Sequence, residues 1–374
     1  MLLVEPWFDG SHRAWAEGYQ RTSRHQVALV TLPGRFWRWR LRGGAVTLAA
    51  AIESHIDDHG PPDVLLVSGL VDVAALVGLA RRSLADVTTV LYLHENQVAY
   101  PRSERLDIDQ AFRGWLSLLA VDRVLVNSEH HRAVLHSGLR DLLGTAPDHG
   151  QLQLLEPAMA AMRVVPVGVD LSRIGASSRL TPATVVPRDT DRPVVLWNHR
   201  WDEDKQPEVF VRALRRLAAE GVAFDVILAG EDAWDVEPRR AHAVAALGDR
   251  VLAAGHADRA SYLDHLEHSD VVVSTAEHEF FGVAVVEALA AGCVPVLPHA
   301  LSYPELVPER FHDVALHGPG MFRRRLGEVL RDLGAARAAV GGLDLEMRRF
   351  DWSVVAPVLD EELAEAAAQL RSQT

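Results

Sequence analysis

The chain lacks the residues that would place it in several large classes. It has one cysteine, Cys293, in 374 residues, so no intrachain disulfide can form. That fits a reducing compartment. No apolar run approaches the roughly 20 residues of a membrane span. The first residues, Met1 to Pro6, carry no basic segment, and their apolar run is too short for a signal peptide. The expectation is a cytoplasmic protein with no membrane partner. Positive charge is scarce too: the net charge is −13. Such a surface disfavours non-specific nucleic-acid binding, so a polyanionic partner needs a local basic patch. Lysine is the scarcest cation, since of 38 Lys and Arg residues only Lys205 is lysine. Metal-ligand spacing is absent as well. His130-His131, His265 and His268 show no convincing metal-ligand spacing with a carboxylate partner and read as surface or capping residues. No Asp-x-Asp pair follows a strand in the second half, so no metal and no bound cofactor is expected.

What is present is a full-sized globular chain, 48% hydrophobic and 24% charged. Its length suits two α/β domains. Short apolar runs alternate with amphipathic stretches, the pattern of βαβ units around parallel sheets. Strands are expected at Leu2–Glu5, Gln26–Thr31, Val64–Ser68, Thr88–Leu93, Arg123–Asn127 and Arg163–Val167. A second series runs Pro193–Asn198, Phe224–Ala229, Arg250–Ala253, Val271–Thr275 and Val294–Leu297. Helices are expected at Ser11–Arg21, Val71–Arg82, Pro207–Glu220 and Val283–Ala291, with a long amphipathic one at Val354–Arg371. Ser172–Arg192 is rich in Ser, Thr, Pro and Ala without periodicity and reads as a linker. The expected domains are 1–170 with about 355–374, a linker at 171–192, and 193–354. Two Rossmann-like sheets bind ligands at the carboxyl ends of their strands, so a central cleft between two facing domains is expected.

The strongest local signal runs from Ser274 to Val296 and reads strand, loop, helix, Gly292, strand. Glu279 sits in the loop before the helix and Glu287 about one turn inside it. The free amides of Phe281, Gly282 and Val283 form an anion site, because orphan N–H groups and the helix dipole both favour negative charge. Gly282 permits close backbone approach. A second signal is Asn198-His199-Arg200-Trp201-Asp202-Glu203-Asp204-Lys205, just after a strand. Other polar clusters at strand ends are Asp9-Gly10-Ser11-His12, His94-Glu95-Asn96-Gln97 and Asn127-Ser128. Arg35-Phe36-Trp37-Arg38-Trp39-Arg40-Leu41-Arg42 interleaves four arginines with three aromatics, a loop able to neutralise phosphates and stack on bases. The plainer reading of that loop is tryptophans packed inward with arginines in solvent. For either Glu alone, the plainer reading is a local salt bridge.

Taken together, Glu279-Phe280-Phe281-Gly282, Glu287 eight positions on, and Gly292…Pro295-Val296 resemble the signature of family-4 GT-B glycosyltransferases. The resemblance implies that Glu279 contacts sugar hydroxyls and Glu287 the ribose. It implies that the loop amides, Arg200 and Lys205 hold the diphosphate. Asp9-Gly10-Ser11-His12 resembles the glycine-containing first loop that reaches the donor phosphate, with one glycine where many members have two. Pro166-Val167-Gly168-Val169-Asp170 resembles a Pro-Asn-Gly-Val-Asp segment, with Val167 in place of Asn. His94 resembles the histidine that approaches the sugar. Six stretches spread over nearly the whole chain resemble a subgroup, the tRNA-queuosine mannosyltransferases. They are Glu5-Pro6…Gly10-Ser11-His12, Thr31-Leu32-Pro33…Trp37-Arg38-Trp39-Arg40, His94-Glu95-Asn96-Gln97…Tyr100-Pro101, His199-Arg200-Trp201…Asp204-Lys205, Ser274-Thr275…His278 to Ala284, and Tyr303-Pro304-Glu305.

The subgroup implies GDP-mannose as co-substrate and a cyclopentenediol hydroxyl of queuosine in a tRNA anticodon as acceptor. Arg35, Trp37, Arg38, Trp39, Arg40, Glu95, Asn96 and Gln97 then lie on the acceptor side. Glu279, Arg200, Lys205 and His94 are the expected catalytic set. Gly10, Ser11, His12, Phe281, Gly282, Val283 and Glu287 are the expected donor set, with the base near Gly230-Glu231 and Gly255-His256. The expected chemistry is front-side displacement with retention and no protein nucleophile. Two rivals stand beside it: a family-4 enzyme acting on a metabolite, glycan or lipid, and a catalytically silent binder of modified RNA.

Overall fold

The computed structural model describes residues 1–98, 107–174, 192–230 and 237–373. Tyr100, Pro101, Glu231 and the 175–191 part of the expected linker lie outside them. The chain divides into two compact units, Met1–Gly168 with Trp352–Thr374, and Val169–Asp351.

The first unit holds β1 (Leu2–Phe8), β2 (Ala28–Pro33), β3 (Val64–Ser68), β4 (Thr88–Leu93), β5 (Arg123–Val126) and β6 (Arg163–Val164), in the order β2-β1-β3-β4-β5-β6. Neighbouring strands pair in parallel. Every residue of β3 and β5 is buried. Helices cover both faces of such a sheet, so its strands read as continuous apolar runs rather than alternating ones. The strand order turns back between β1 and β3, the kind of point at which open α/β sheets bind ligands. Helix α1 (Gly10–Thr22) follows β1, α2 (Trp37–His59) follows β2 and α3 (Val73–Leu79) follows β3; α4 (Ile108–Leu119) and α5 (Glu129–Gly144) follow β4 and β5. Side chains of Asp72, Asp107 and Ser128 cap α3, α4 and α5 by accepting first-turn amides. Arg35–Arg42, expected as a loop, is instead the start of α2, which begins at Trp37 behind a left-handed Phe36.

The C-terminal helix Trp352–Gln373 returns to this unit, as expected. The Trp352 indole lies where a Cβ on Gly18 or Gly168 would stand only 2.1 or 2.3 Å away, so both positions exclude a side chain. Asp360, 1% exposed, accepts hydrogen bonds from Tyr19 Oη (2.6 Å), Ser23 Oγ (2.7 Å) and the Arg24 amide (3.0 Å).

The second unit holds β7 (Val194–Trp197), β8 (Asp225–Leu228), β9 (Val251–Ala254), β10 (Val271–Val273), β11 (Val294–Pro298) and β12 (Leu316–His317), in the order β12-β11-β10-β7-β8-β9, again parallel. The order reverses between β7 and β10. The two strongest sequence signals are the segments that leave those two strands. β12 was not anticipated, since two residues carry no periodicity. Among the described residues no helix is long and apolar enough to cross a membrane.

Candidate active site

The second unit brings the ends of β7 and β10 together around Lys205. The segment after β7 closes in a single tight turn, Glu203–Lys205, and Gln206 follows in the left-handed region at φ 53°. Thr275 Oγ1 donates to the carbonyls of Lys205 (2.8 Å) and Gln206 (3.1 Å), and the Glu277 amide donates to Asp204 O (2.7 Å). These bonds tie one loop to the other. Lys205 is buried, and its Nζ donates to His278 O at 2.5 Å while lying 3.1 Å from Asp204 and 3.4 Å from Glu279. Burial pulls the ammonium pKa down, but the Glu279 and Asp204 carboxylates outweigh it and the net shift is upward. The only lysine is therefore a charged, fixed point at the mouth of the loop. Arg200 is different: it is 60% exposed and bridges Asp202 at 3.2 Å. The structure thus joins Lys205 to Glu279 and leaves Arg200 at the surface of the same loop.

His199 is buried behind this pair, and its Nε2 meets Val273 O at 3.2 Å. Burial, then Lys205, lowers its pKa to about 4, so it is neutral. A Cβ at Gly230 would stand 1.7 Å from His199 O, so that crossing needs glycine. Gly282, at φ 100°, starts the helix Val283–Ala290. The Val285 and Val286 amides both donate to Gly282 O at 3.0 Å, and a helix start leaves the amides before them without an intrahelical carbonyl. Ser274 Oγ and Tyr303 Oη share a buried hydrogen bond of 2.7 Å beneath the loop.

Glu287 lies on that helix and is buried. Burial raises its pKa, with the Arg259 guanidinium opposing. Arg259 Nη1 donates to it at 2.5 Å, and Tyr262 adds a hydrogen bond. Tyr262 Oη also accepts from Asn198 Nδ2 (3.1 Å), which donates to Ala284 O as well (2.8 Å). Arg259, Tyr262, Asn198 and Asp204 were not singled out as site residues. Arg259, Tyr262 and Asn198 are separated in sequence from their partners, so only the fold brings them in, whereas Asp204 is the neighbour of Lys205 in the chain.

In the first unit the carboxylate is Glu5, fully buried in β1. It accepts from the Trp7 amide (2.9 Å), Ser68 Oγ (2.6 Å) and His12 Nδ1 (3.2 Å). Asp9 caps α1 by accepting from the Gly10 amide, and Gly10 takes φ 49°. Together with Ser11, this turn sets His12 on the first turn of α1. His94 follows β4 and packs on the rings of His12, Trp15 and Tyr92 at 4.4, 4.6 and 4.8 Å. Its Nε2 is buried with no hydrogen-bond partner among the described residues. Burial, then His12 and His131, holds its pKa well below the usual imidazole range. Asn127 donates to His94 O (2.8 Å) and bonds His131 Nδ1 through its own oxygen (2.9 Å). His131, expected at the surface, is fully buried: its side chain completes this network, and burial lowers its pKa to about 3.

Glu5, His12 and His94 place their ligand atoms within 4.8 Å of one another, a set able to hold a metal ion that local spacing could not reveal. A tetrahedral zinc asks for about 3.3 Å between ligand atoms. The Glu5–His12 edge, at 3.2 Å, is already a hydrogen bond.

Gln97 Nε2 donates to Glu95 Oε1 at 3.3 Å, and Asn96 is buried beside them. At the start of α2, Trp37 (37%), Phe36 (64%) and Trp39 (63%) are exposed, so these tryptophans do not pack inward. Arg38 lies 4.9 Å above the Trp37 ring, Arg40 donates to Pro33 O (3.2 Å), and Arg42 bridges Asp107 (3.3 Å). Arg35 completes the cationic run.

A family model described as tRNA-queuosine alpha-mannosyltransferase N-terminal matches residues 1–169, and the model for glycosyl transferases group 1 matches 183–332. The tRNA-queuosine alpha-mannosyltransferase of Drosophila melanogaster is 33% identical over 314 residues, 83% of this chain and 82% of that protein. A GDP-mannose:cellobiosyl-diphosphopolyprenol alpha-mannosyltransferase of Xanthomonas campestris is 24% identical over 59% of this chain and 57% of its own length. Among solved structures, the sucrose-phosphate synthase of Thermosynechococcus elongatus superposes with a TM-score of 0.73 at 16% identity, covering 98% of this chain and 99% of that one. The catalytic domain of starch synthase IV from Arabidopsis thaliana gives 0.71 at 12% identity, covering 98% and 99%. These two share the fold alone. The buried charge pairs at the strand ends, the two family models and a relative similar over most of its length lead to one conclusion: this chain is a glycosyltransferase of the GT-B fold and belongs to the tRNA-queuosine alpha-mannosyltransferase family.

Proposed function

We propose that this protein transfers mannose, with retention, from GDP-mannose to a cyclopentenediol hydroxyl of queuosine in a tRNA anticodon, in the cytoplasm. The observation that carries the reading is similarity to the Drosophila enzyme over most of both chains. The basic, aromatic start of α2 supports an RNA acceptor in an otherwise acidic protein, because it supplies phosphate contacts and stacking faces in one place.

The acceptor hydroxyl attacks the anomeric carbon on the face from which the diphosphate leaves. The bond from that carbon to the phosphate oxygen breaks, and the departing oxygen takes the acceptor's proton. The protein then needs no nucleophile. Its task is to hold the leaving group and orient the sugar. Lys205, Arg200 and the amides at Phe281–Val283 take the growing diphosphate charge. Glu279, paired with Lys205, orients hexose hydroxyls. Glu287 takes the ribose, displacing Arg259. His94, kept neutral by burial, offers Nε2 to a sugar hydroxyl. Glu5 fixes the orientation of His12, and Gly10, Ser11 and His12 are assigned to the donor phosphate. Arg35, Trp37, Arg38, Trp39 and Arg40 hold the RNA, and Glu95, Asn96 and Gln97 meet the modified nucleoside.

The test is transfer from GDP-mannose to queuosine-containing tRNA, with unmodified tRNA as control, read by nucleoside mass spectrometry. A hexose-sized mass gain confined to queuosine supports the reading. Donor hydrolysis with no gain on tRNA leaves a glycosyltransferase with another acceptor. Neither hydrolysis nor transfer, with GDP still stabilising the fold, points to a silent binder.

A further inference from the structure

The helix Arg259–His268 carries two side chains that reach the same carboxylate. Its start is fixed by Asp258, which accepts from the Ser261 amide at 2.8 Å. Arg259 and Tyr262 are three positions apart, so they share a face of that helix. Both hydrogen-bond Glu287 on the helix Val283–Ala290. The Arg259 side chain is 42% exposed, against 10% for Glu287. An arginine so exposed is screened by solvent and can swing away from its partner.

Tyr262 is held more firmly, and its proton has one place to go. Asn198 is buried just past β7, and its Nδ2 donates both to Tyr262 Oη at 3.1 Å and to Ala284 O at 2.8 Å. A carbonyl oxygen can only accept, so the Ala284 bond fixes which end of the amide faces the tyrosine. A phenol has a single proton. With Asn198 donating to its oxygen, that proton is directed at Glu287. Burial, then Glu287, pushes the phenol pKa well above its usual range, so the donor stays neutral and protonated. The direction of each bond is thereby set, from Ala284 O through Asn198 and Tyr262 to Glu287.

A glutamate side chain is flexible, and a carboxylate that must meet ligand hydroxyls gains from a bond that fixes its orientation beforehand. The bond to Arg259 does not serve, since the ribose displaces it in the reading above. We propose that Tyr262 is the positioning residue of the ribose subsite, holding Glu287 in the orientation that accepts ribose hydroxyls and so making this unit prefer ribonucleotides to deoxyribonucleotides, a proposal that rests on the ribose role of Glu287 given above. Asn198 acts one step further back, by directing the phenol proton. Arg259 is the exchangeable partner that covers the carboxylate until the ribose takes its place.

The test is the affinity of the protein for GDP, 2′-deoxy-GDP and 3′-deoxy-GDP by titration calorimetry, with melting temperature as the check on folding. The parent should bind GDP about tenfold or more tighter than at least one deoxy form, as expected for a hydroxyl on a charged acceptor. Tyr262→Phe keeps the ring and removes only the hydroxyl. It should weaken GDP binding and leave that deoxy form little changed, closing the gap to about threefold or less, the mark of two coupled groups. A purely structural role predicts that GDP and the deoxy forms weaken equally or not at all. Such an unchanged ratio overturns the proposal while Glu287 keeps its ribose role. Asn198→Asp covers the case in which Tyr262→Phe folds poorly. Its acceptor of the same size draws the phenol proton away from Glu287, so the ratio should fall in the same way, and an unchanged ratio again overturns the proposal. A parent that binds GDP no tighter than both deoxy forms, or binds none of the three, loses the ribose role of Glu287 and the proposal with it.

Discussion

The two units solve the same problem with opposite materials. Both gather polar side chains where a parallel sheet reverses its strand order. In the second unit the cluster is ionic: Lys205 between Asp204 and Glu279, and Arg259 on Glu287. In the first it is almost neutral: His94 and His131 buried without charge, aromatic rings around them, and Glu5 held by three hydrogen-bond donors. A diphosphate leaving group needs fixed positive charge, while hydroxyls of a sugar or an acceptor need neutral donors and acceptors. Under the proposed function, the difference follows from what each half has to hold.

The sharpest way to break this comparison is to remove charge from the ionic half. Lys205→Ala should lower kcat about 10²–10³-fold, the cost of losing one preorganised charge at a developing anion. Single-turnover rates with saturating donor would read it, and near-parent turnover would sink the role. A neutral His94→Ala variant should lose less, because it deletes a hydrogen bond rather than a counter-charge.

Acid should separate the halves next. His131 has its pKa lowered to about 3 and His199 to about 4, and His94 moves the same way. All three are neutral in the fold, whereas the unfolded chain takes up protons near pH 6.5. Their neutral burial costs nothing above that pH. Below it stability falls, down to about pH 4 for His199 and about pH 3 for His131, at up to about 1.4 kcal/mol per pH unit for each histidine. Two of the three lie in the first unit. The His131→Asn variant should therefore show a shallower drop in melting temperature between pH 7 and pH 5 than the parent. An equal slope would mean that carboxylates dominate.

A smaller effect is expected at the ribose. Glu287→Gln should raise the donor KM about tenfold with little change in kcat, because the contact holds ground state and transition state alike. A fall in kcat alone would move Glu287 from donor binding to chemistry. Smallest is the surface: Arg38→Ala and Arg40→Ala should each weaken tRNA binding modestly and lower the salt dependence by about one phosphate contact. Binding curves at two salt concentrations would detect it.

Most of the fold was legible because parallel strands buried on both faces are continuous apolar runs. Val64–Ser68 and Thr88–Leu93 match their expected limits in full. β12 was missed because two residues hold no pattern. The start of α2 was misread because tryptophan and arginine on an exposed first turn look like a loop. Glu279, Glu287 and Lys205 could be singled out in the sequence because each lies in or next to a single strand-to-helix connection, and the structure pairs Lys205 with Glu279. Arg259, Tyr262, Asn198 and Glu5 were not singled out as site residues, because each acquires its role from a partner distant in the chain.

Local order thus set what the sequence determined alone: two Rossmann-like halves, the segments that leave β7 and β10, and one lysine placed in the first of them. The tertiary structure decided the rest. It set which carboxylate faces that lysine and which histidines lose their charge. Burial and electrostatic pairing depend on distance in space, and the fold sets those distances between residues far apart in the chain.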